Sequence, residues 1–433
     1  MKNLEIKTIK NLFFDNILLR GSALVFSGTM IANFGSYLFH FAMGRFLSVS
    51  DYGALESLIS IIYYLNILTT VLSLTIVKFV SSQKSDEKKI VLFLKQIATI
   101  SLIGGGIIFG LFLALFPFLQ NLIKIYSFGL FLGIGLSFFF GVFFAIVTAS
   151  FQGMMEFGKM CFCLILNSLG RLFIGVLLVM IGMGLWGAVY SFVFALFLAT
   201  AWGFWLLRKR LNFKMDFLMP EKDILEKVNK YSLAVLFSNL ALTSFFTTDV
   251  VLARHFLSAP EAGLYASLSI FGKIIFFASN AIVSVMFPVV SSRLAIGKDY
   301  RKVTEASFFL VLLVSFSISI VYFLFPVPMI KILYGDKYLT IASRLGPFSV
   351  FLTLYSLNAF LINYFLSVSE LTIVILPLLI AVLQIILITA YHTSLSQIIQ
   401  INIFSMLLLL GGLVFCYLKN FLKTYEINSL SKS

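Results

Sequence analysis

Long apolar runs alternate with short polar stretches along the whole chain. About twelve runs stand out, over roughly 21–45, 54–80, 90–118, 127–150, 160–181, 185–207, 232–256, 263–290, 304–326, 341–367, 372–391 and 396–418. Each reaches the ~20 residues a helix needs to cross the hydrocarbon of a bilayer. The pattern predicts an all-α polytopic membrane protein of about twelve transmembrane helices. Residues 1–20 place Lys2, Lys7 and Lys10 among Leu4, Ile6, Ile9, Leu12 and Phe13. That spacing suits a cytoplasmic, interfacial amphipathic lead-in, and an ordinary pre-helix tail fits it too.

One polar stretch occurs twice. Phe46-Leu47-Ser48-Val49-Ser50-Asp51-Tyr52-Gly53-Ala54-Leu55-Glu56-Ser57-Leu58 returns 210 positions later as Phe256-Leu257-Ser258-Ala259-Pro260-Glu261-Ala262-Gly263-Leu264-Tyr265-Ala266-Ser267-Leu268, with six of thirteen positions identical. A fixed offset of this kind marks an internal repeat. Its Ser, acid and Gly read as turn chemistry between two spanning helices. A second pair supports the duplication. Leu115-Phe116-Pro117 is followed by Lys124 and Tyr126, and Leu324-Phe325-Pro326 by Lys331 and Tyr334. Each Pro is expected to stop a helix, with the basic residue and the Tyr at headgroup level.

The longest connection, 208–231, opens Arg208-Lys209-Arg210 and continues Glu221-Lys222-Asp223-Ile224-Leu225-Glu226-Lys227. It reads as a cytoplasmic amphipathic linker between an N-lobe of six helices (21–207) and a C-lobe of six (232–418), followed by a cytoplasmic tail (419–433). Six is even, so the halves enter the membrane in the same orientation, as a parallel repeat.

Composition agrees with a bilayer as solvent. The 433 residues are 60% hydrophobic and 12% charged, against ~25% charged in a soluble domain. The net charge of +14 raises the question of nucleic acid, but the cations sit in short loops. With the N-terminus inside, the inner segments hold 24 Lys and Arg and the outer ones 6. Such a bias puts both termini in the cytoplasm and removes the need for a nucleic-acid partner. Cys161, Cys163 and Cys416 all lie in apolar runs, where they fill space among helices.

Three stretches resemble one family. The run Asp249-Val250-Val251-Leu252-Ala253-Arg254-His255-Phe256-Leu257 with Glu261-Ala262-Gly263-Leu264-Tyr265, its weaker copy Gly44-Arg45-Phe46-Leu47-Ser48 with Asp51-Tyr52-Gly53, and Lys331-Ile332-Leu333-Tyr334-Gly335-Asp336-Lys337-Tyr338 are similar to polysaccharide-export, O-antigen flippases. These belong to the superfamily of multidrug, oligosaccharidyl-lipid and polysaccharide exporters. The resemblance implies two parallel-repeat six-helix lobes around a central cavity that opens alternately to either side. It also implies an inner-membrane protein whose cargo is an undecaprenyl-diphosphate-linked oligosaccharide. Membrane lipids and the polysaccharide polymerase machinery are the partners it suggests.

A lipid-linked diphosphate calls for fixed cations at mid-membrane, where a charge costs ~2.5–3.5 kcal/mol. Lys273 and Arg171 are the candidates for binding it. Lys273 can equally pair with a neighbouring polar group, for which Asp249 is the obvious partner, and Arg171 can be satisfied by Asn167 and Ser168. Asp249 is a candidate for ion coupling or a structural anchor near Thr247 and Thr248. His40, Asn33, Asn239 and Asn280 are candidate cavity polar groups, with helix-to-helix hydrogen bonding as the plainer role. Gly104-Gly105-Gly106, Pro377 and Pro288 interrupt their helices, as gating bends or static kinks.

Other classes fit less well. A multidrug or cation antiporter of the same superfamily needs membrane carboxylates, and the first six helices offer only Glu56. A membrane glycan-assembly enzyme needs a sizeable loop with paired carboxylates or metal ligands, and the longest loop is about 24 residues. No catalytic set, metal site or cofactor is expected. A channel or scaffold stays open, although duplicated halves suit alternating access better.

Overall fold

In a hydrocarbon solvent each backbone polar group must be satisfied within its own segment, so apolar runs become helices. The computed structural model, describing residues 2–83, 86–211, 230–296 and 298–430, is helical throughout, with no strand among those residues. The helices are α1 (Lys2–Phe46), α2 (Val49–Ser82), α3 (Glu87–Ala114), α4 (Phe116–Ile123), α5 (Phe128–Gly153), α6 (Phe157–Leu178), α7 (Gly184–Leu211), α8 (Lys230–Phe256), α9 (Ala259–Ala295), α10 (Arg301–Leu324), α11 (Pro326–Leu333), α12 (Ala342–Ser367), α13 (Ile375–Ala390) and α14 (Leu395–Leu430).

Each expected run maps onto one long helix, and the two short helices α4 and α11 are additional. Among the described residues ten stretches are long and apolar enough to span a membrane, one of which, Phe157–Leu211, contains both α6 and α7. Pro117 and Pro326 do stop the preceding helices, but they do so by opening α4 and α11. Proline suits a first helical turn, where its missing N–H would have no partner. At the chain ends, α1 begins at Lys2 and α14 continues to Leu430, so both extend past the expected spans. The side chains that would make residues 1–20 amphipathic, and the expected linker helix at 221–227, lie outside the described residues.

The helix bounds carry the duplication further than sequence identity does. α1 and α8 end at Phe46 and Phe256, α2 and α9 start at Val49 and Ala259, and α4 and α11 run from Phe116 and Pro326, all 210 residues apart. From α5 and α12, which start at Phe128 and Ala342, the offset is 214. Four residues separate α4 from α5, and eight separate α11 from α12. The extra four fall in a tight 3₁₀ turn over Asp336–Ile341.

Contacts divide the chain into two units, and α2 is shared between them after Tyr64. The first takes in Met1–Leu47, Leu65–Leu119 and Tyr126–Lys227. Its core joins Ile76 and Val80 of α2, Phe93, Leu94 and Ile97 of α3, Ile146, Val147 and Phe151 of α5, and Cys161 and Cys163 of α6. Small residues bring α1 and α6 close enough for Ser168 Oγ to donate to the Ala32 carbonyl at 2.5 Å. At the chain reversal between α6 and α7 a π turn, Val179–Met183, ends in Gly182 (φ 95°) and Gly184 (φ 50°), left-handed positions that suit glycine. Arg210 at the end of α7 binds Glu156 at 2.7 Å and Glu87 at 2.8 Å, tying the starts of α6 and α3 to it. Just before α3, Asp86 accepts the Lys89 N–H at 3.1 Å, a bond that holds its carboxyl below the ordinary range.

The second unit comprises Ser48–Tyr64, Gln120–Ile125 and Val228–Ser433. α9, α10 and α12 pack together, with Tyr322 of α10 donating to the Phe271 carbonyl of α9 at 3.1 Å. α3 runs unbroken through Gly104-Gly105-Gly106, and Pro377 lies in the first turn of α13. α9 continues through position 288 to Ala295, and the Pro288 side chain is outside the described set.

Candidate functional site

The repeated stretch builds the frame. Ser48 Oγ accepts the Asp51 N–H at 3.0 Å and donates to the Asp51 carboxylate at 2.7 Å. Ser258 answers with N–H and hydroxyl bonds to Glu261 Oε2 at 3.2 and 2.7 Å. Ser258 and Glu261 form a capping box at the start of α9, and Ser48 makes its cap-to-N3 half at the start of α2. The two copies then meet each other. A methyl group on Gly53 would lie 2.6 Å from the Gly263 Cα, and one on Gly263 would run into the Val49 carbonyl. The helices therefore cross backbone to backbone. Ten residues on, equivalent positions meet again: Tyr63 and Lys273 are 210 residues apart, and the Lys273 Nζ lies 5.0 Å from the centre of the Tyr63 ring.

Lys273 is buried in this unit. It is 3% exposed, and Phe246 of α8 places a second ring 5.8 Å from its Nζ. Faces of aromatic rings attract an ammonium but take none of its N–H bonds. The carboxylate beside it belongs to Glu56 of α2, 1% exposed, with an oxygen 3.8 Å from Nζ. Asp249, the partner expected from the sequence, also feels the Lys273 charge, but the carboxylate within 4 Å of Nζ is that of Glu56. Nζ makes no hydrogen bond among the described residues.

Asp249 anchors four helices. Its Oδ2 accepts the Tyr265 hydroxyl of α9 at 2.6 Å and the Asn402 amide of α14 at 3.2 Å, while Oδ1 accepts the Val250 N–H at 2.8 Å. Asn402 Oδ1 in turn accepts from Gln384 of α13 at 2.7 Å. Three donors thus meet the two oxygens of this buried carboxylate. Asp249→Asn turns one acceptor oxygen into a donor among donors. It is expected to cost ~1–3 kcal/mol, read as a lower unfolding midpoint in detergent. A variant carrier whose export still responds normally to collapse of each ion gradient would confine Asp249 to this anchoring role.

Other candidates are dispersed. Arg171 lies in the first unit, its guanidinium 4.5 Å from the Phe192 ring centre and 5.1 Å from that of Phe39, whose neighbour His40 is buried. Asn33 is exposed in the same unit, and Asn239 and Asn280 are half-buried in the second. Tyr126 is exposed as a headgroup residue should be, but Tyr334 is not. It is buried, with its hydroxyl 2.9 Å from that of Tyr52 and its ring 5.1 Å from Tyr338. Arg254 and His255 face the end of α4, with Arg254 Nε donating to the Ile123 carbonyl at 3.1 Å and His255 Nδ1 lying 2.8 Å from that of Leu122. Both side chains thus reach carbonyls that the end of α4 leaves without helical partners. Among the described residues no group of three His, Cys, Asp or Glu stands together as metal ligands.

Sequence reasoning missed the roles of Glu56, Tyr63, Phe246 and Asn402. The repeat held one usable signal, since Tyr63 is the counterpart of Lys273.

The model of one family, described as polysaccharide biosynthesis protein, matches residues 42–343, more than two thirds of the chain. The chain belongs to that family. The match takes in both copies of the repeated stretch, and Lys273 with Glu56, Tyr63 and Phe246 around it. No curated protein compared with the chain matches it. Solved structures share its fold. An inward-facing multidrug resistance MATE family transporter of the MOP superfamily aligns with a TM-score of 0.77 at 14% identity, over 91% of this chain and 96% of its own. The lipid II flippase MurJ, inward closed, aligns with a TM-score of 0.73 at 15% identity, over 94% and 89%. The MATE multidrug transporter DinF-BH gives 0.69 at 15% identity, over 93% and 95%. This polysaccharide biosynthesis family member is thus a multi-pass membrane protein with a transporter fold.

Proposed function

We propose that the chain is a flippase that carries undecaprenyl-diphosphate-linked oligosaccharide units across the cytoplasmic membrane by alternating access. Both its termini face the cytoplasm. The observation that carries this reading is the Lys273 ammonium, buried in a membrane-spanning helix with its N–H donors unfilled among the described residues. A phosphate oxygen is the natural acceptor for such a group. The family supports polysaccharide assembly as the setting, and the likeness to a lipid II flippase supports a lipid-linked cargo. The multidrug transporters share the fold as well, but a buried cation beside the cargo would repel a cationic drug. Lys273 binds the diphosphate, Arg171 is a second candidate cation, and the polyprenyl tail stays in lipid. The flipped unit passes to the polymerase machinery on the far side.

Deletion of the gene tests the reading. Undecaprenyl-linked units are expected to accumulate on the cytoplasmic face while surface polysaccharide is lost, as read by mass spectrometry of extracted lipids and by surface labelling. Unchanged surface glycan together with altered drug resistance would sink it.

A further inference from the structure

We propose that Glu56 holds the place of the cargo's phosphate in the empty carrier, and that cargo binding displaces it from Lys273. The inference rests on the reading of Lys273 as the diphosphate anchor. A charge-assisted N⁺–H···O⁻ bond is ~2.7–2.9 Å long, yet Glu56 stands 3.8 Å from Nζ, and Nζ makes no hydrogen bond among the described residues. The pair is close enough to offset two buried charges and too loose to use the donors. Tyr63 and Phe246 hold the ammonium in position by their ring faces, which leaves those donors free for an incoming anion. A diphosphate brings more charge than one carboxylate and can reach bonding distance, so it wins the exchange.

The displaced carboxylate has somewhere to go. Glu56 interacts electrostatically with Tyr338, and the buried Tyr338 hydroxyl makes no hydrogen bond among the described residues. That hydroxyl can donate to Glu56 once Lys273 is taken. Glu56 belongs to α2 and Lys273 to α9, so the exchange replaces an α2–α9 ion pair with a cargo–α9 pair. Occupied carrier therefore holds α2 less tightly than empty carrier, and movement is tied to loading.

The test uses the full-length protein in nanodiscs with undecaprenyl diphosphate as probe. Its binding is measured for the wild type, Glu56→Gln, Glu56→Asp and Lys273→Ala, alongside hydrogen exchange over residues 49–64. Glu56→Gln removes the competing charge and is expected to bind about tenfold tighter. Glu56→Asp, a variant that keeps the buried charge should the amide fail to fold, falls between. Probe should raise exchange over 49–64 in the wild type, and Glu56→Gln should show the raised level without probe. Unchanged or weaker binding by both Glu56 variants, with Lys273→Ala still losing the probe, overturns the displacement and leaves the anchor standing. Wild-type binding by Lys273→Ala removes the anchor, and the displacement with it.

Discussion

Lys273→Ala is expected to abolish export, while Lys273→Arg keeps part of it. In a deletion strain complemented by each variant, surface polysaccharide should be absent with Ala and reduced with Arg. The guanidinium can still meet a phosphate but must fit between Tyr63 and Phe246, whose rings stand 5.0 and 5.8 Å from an ammonium. Removing one partner of a buried ion pair also costs ~3–5 kcal/mol, because the other charge is stranded. Loss of export through simple misfolding must therefore be separated from loss of binding. The pair Glu56→Gln with Lys273→Met removes both charges of that ion pair, and it should recover most of the unfolding midpoint without recovering export. Full export by the Ala variant at wild-type membrane level would remove Lys273 from the mechanism.

The other large effect lies at the crossing of α2 and α9. Gly263→Val is expected to prevent normal assembly. Overpacking of a core usually costs ~1–3 kcal/mol, with side chains giving way. Here the obstruction is the Val49 carbonyl, and backbone must move. The variant should accumulate poorly in membranes, and what is recovered should unfold at a clearly lower temperature in detergent. Gly104 offers the control, since nothing lies within 4 Å of a methyl group added there. Gly104→Ala should be neutral or gain up to ~1 kcal/mol from helix propensity. A wild-type midpoint for Gly263→Val would show that the helices do not approach as described.

The helices are legible in the sequence because lipid leaves the backbone no other choice, and because twelve apolar runs of spanning length are hard to misread. The turn chemistry is legible too: Ser48 with Asp51, and Ser258 with Glu261, act as local caps that need no knowledge of the fold. What fails are inferences that depend on neighbours. Pro117 and Pro326 read as stops, and only the helices that follow reveal them as starts. Tyr334 looks like a headgroup residue by its place after an apolar run, but it is buried against Tyr52, 282 positions away in the chain. For Lys273 the sequence offers Asp249, an acid on a neighbouring helix. Asp249 does feel that charge, but the nearer carboxylate, Glu56, lies 217 residues before Lys273, on the far side of the duplication. The glycine run Gly104-Gly105-Gly106 lies inside one continuous helix, and Pro377 sits in the first turn of α13, directly after a 3₁₀ turn over Leu371–Val374.

The meeting of Tyr63 with Lys273 has a consequence in terms of symmetry. Equivalent residues of the duplicated sequence touch here within one unit. Two lysines there would set like charges side by side in an apolar interior, and two tyrosines would leave no charge at all. A single cation, backed by a ring, needs the copies to differ at that one position. The glycines ten residues away tolerate no such freedom, because each forms the surface against which the other rests. Strict likeness at Gly53 and Gly263 and unlikeness at Tyr63 and Lys273 are thus two parts of one arrangement: the first keeps the helices together, and the second gives their meeting point a direction.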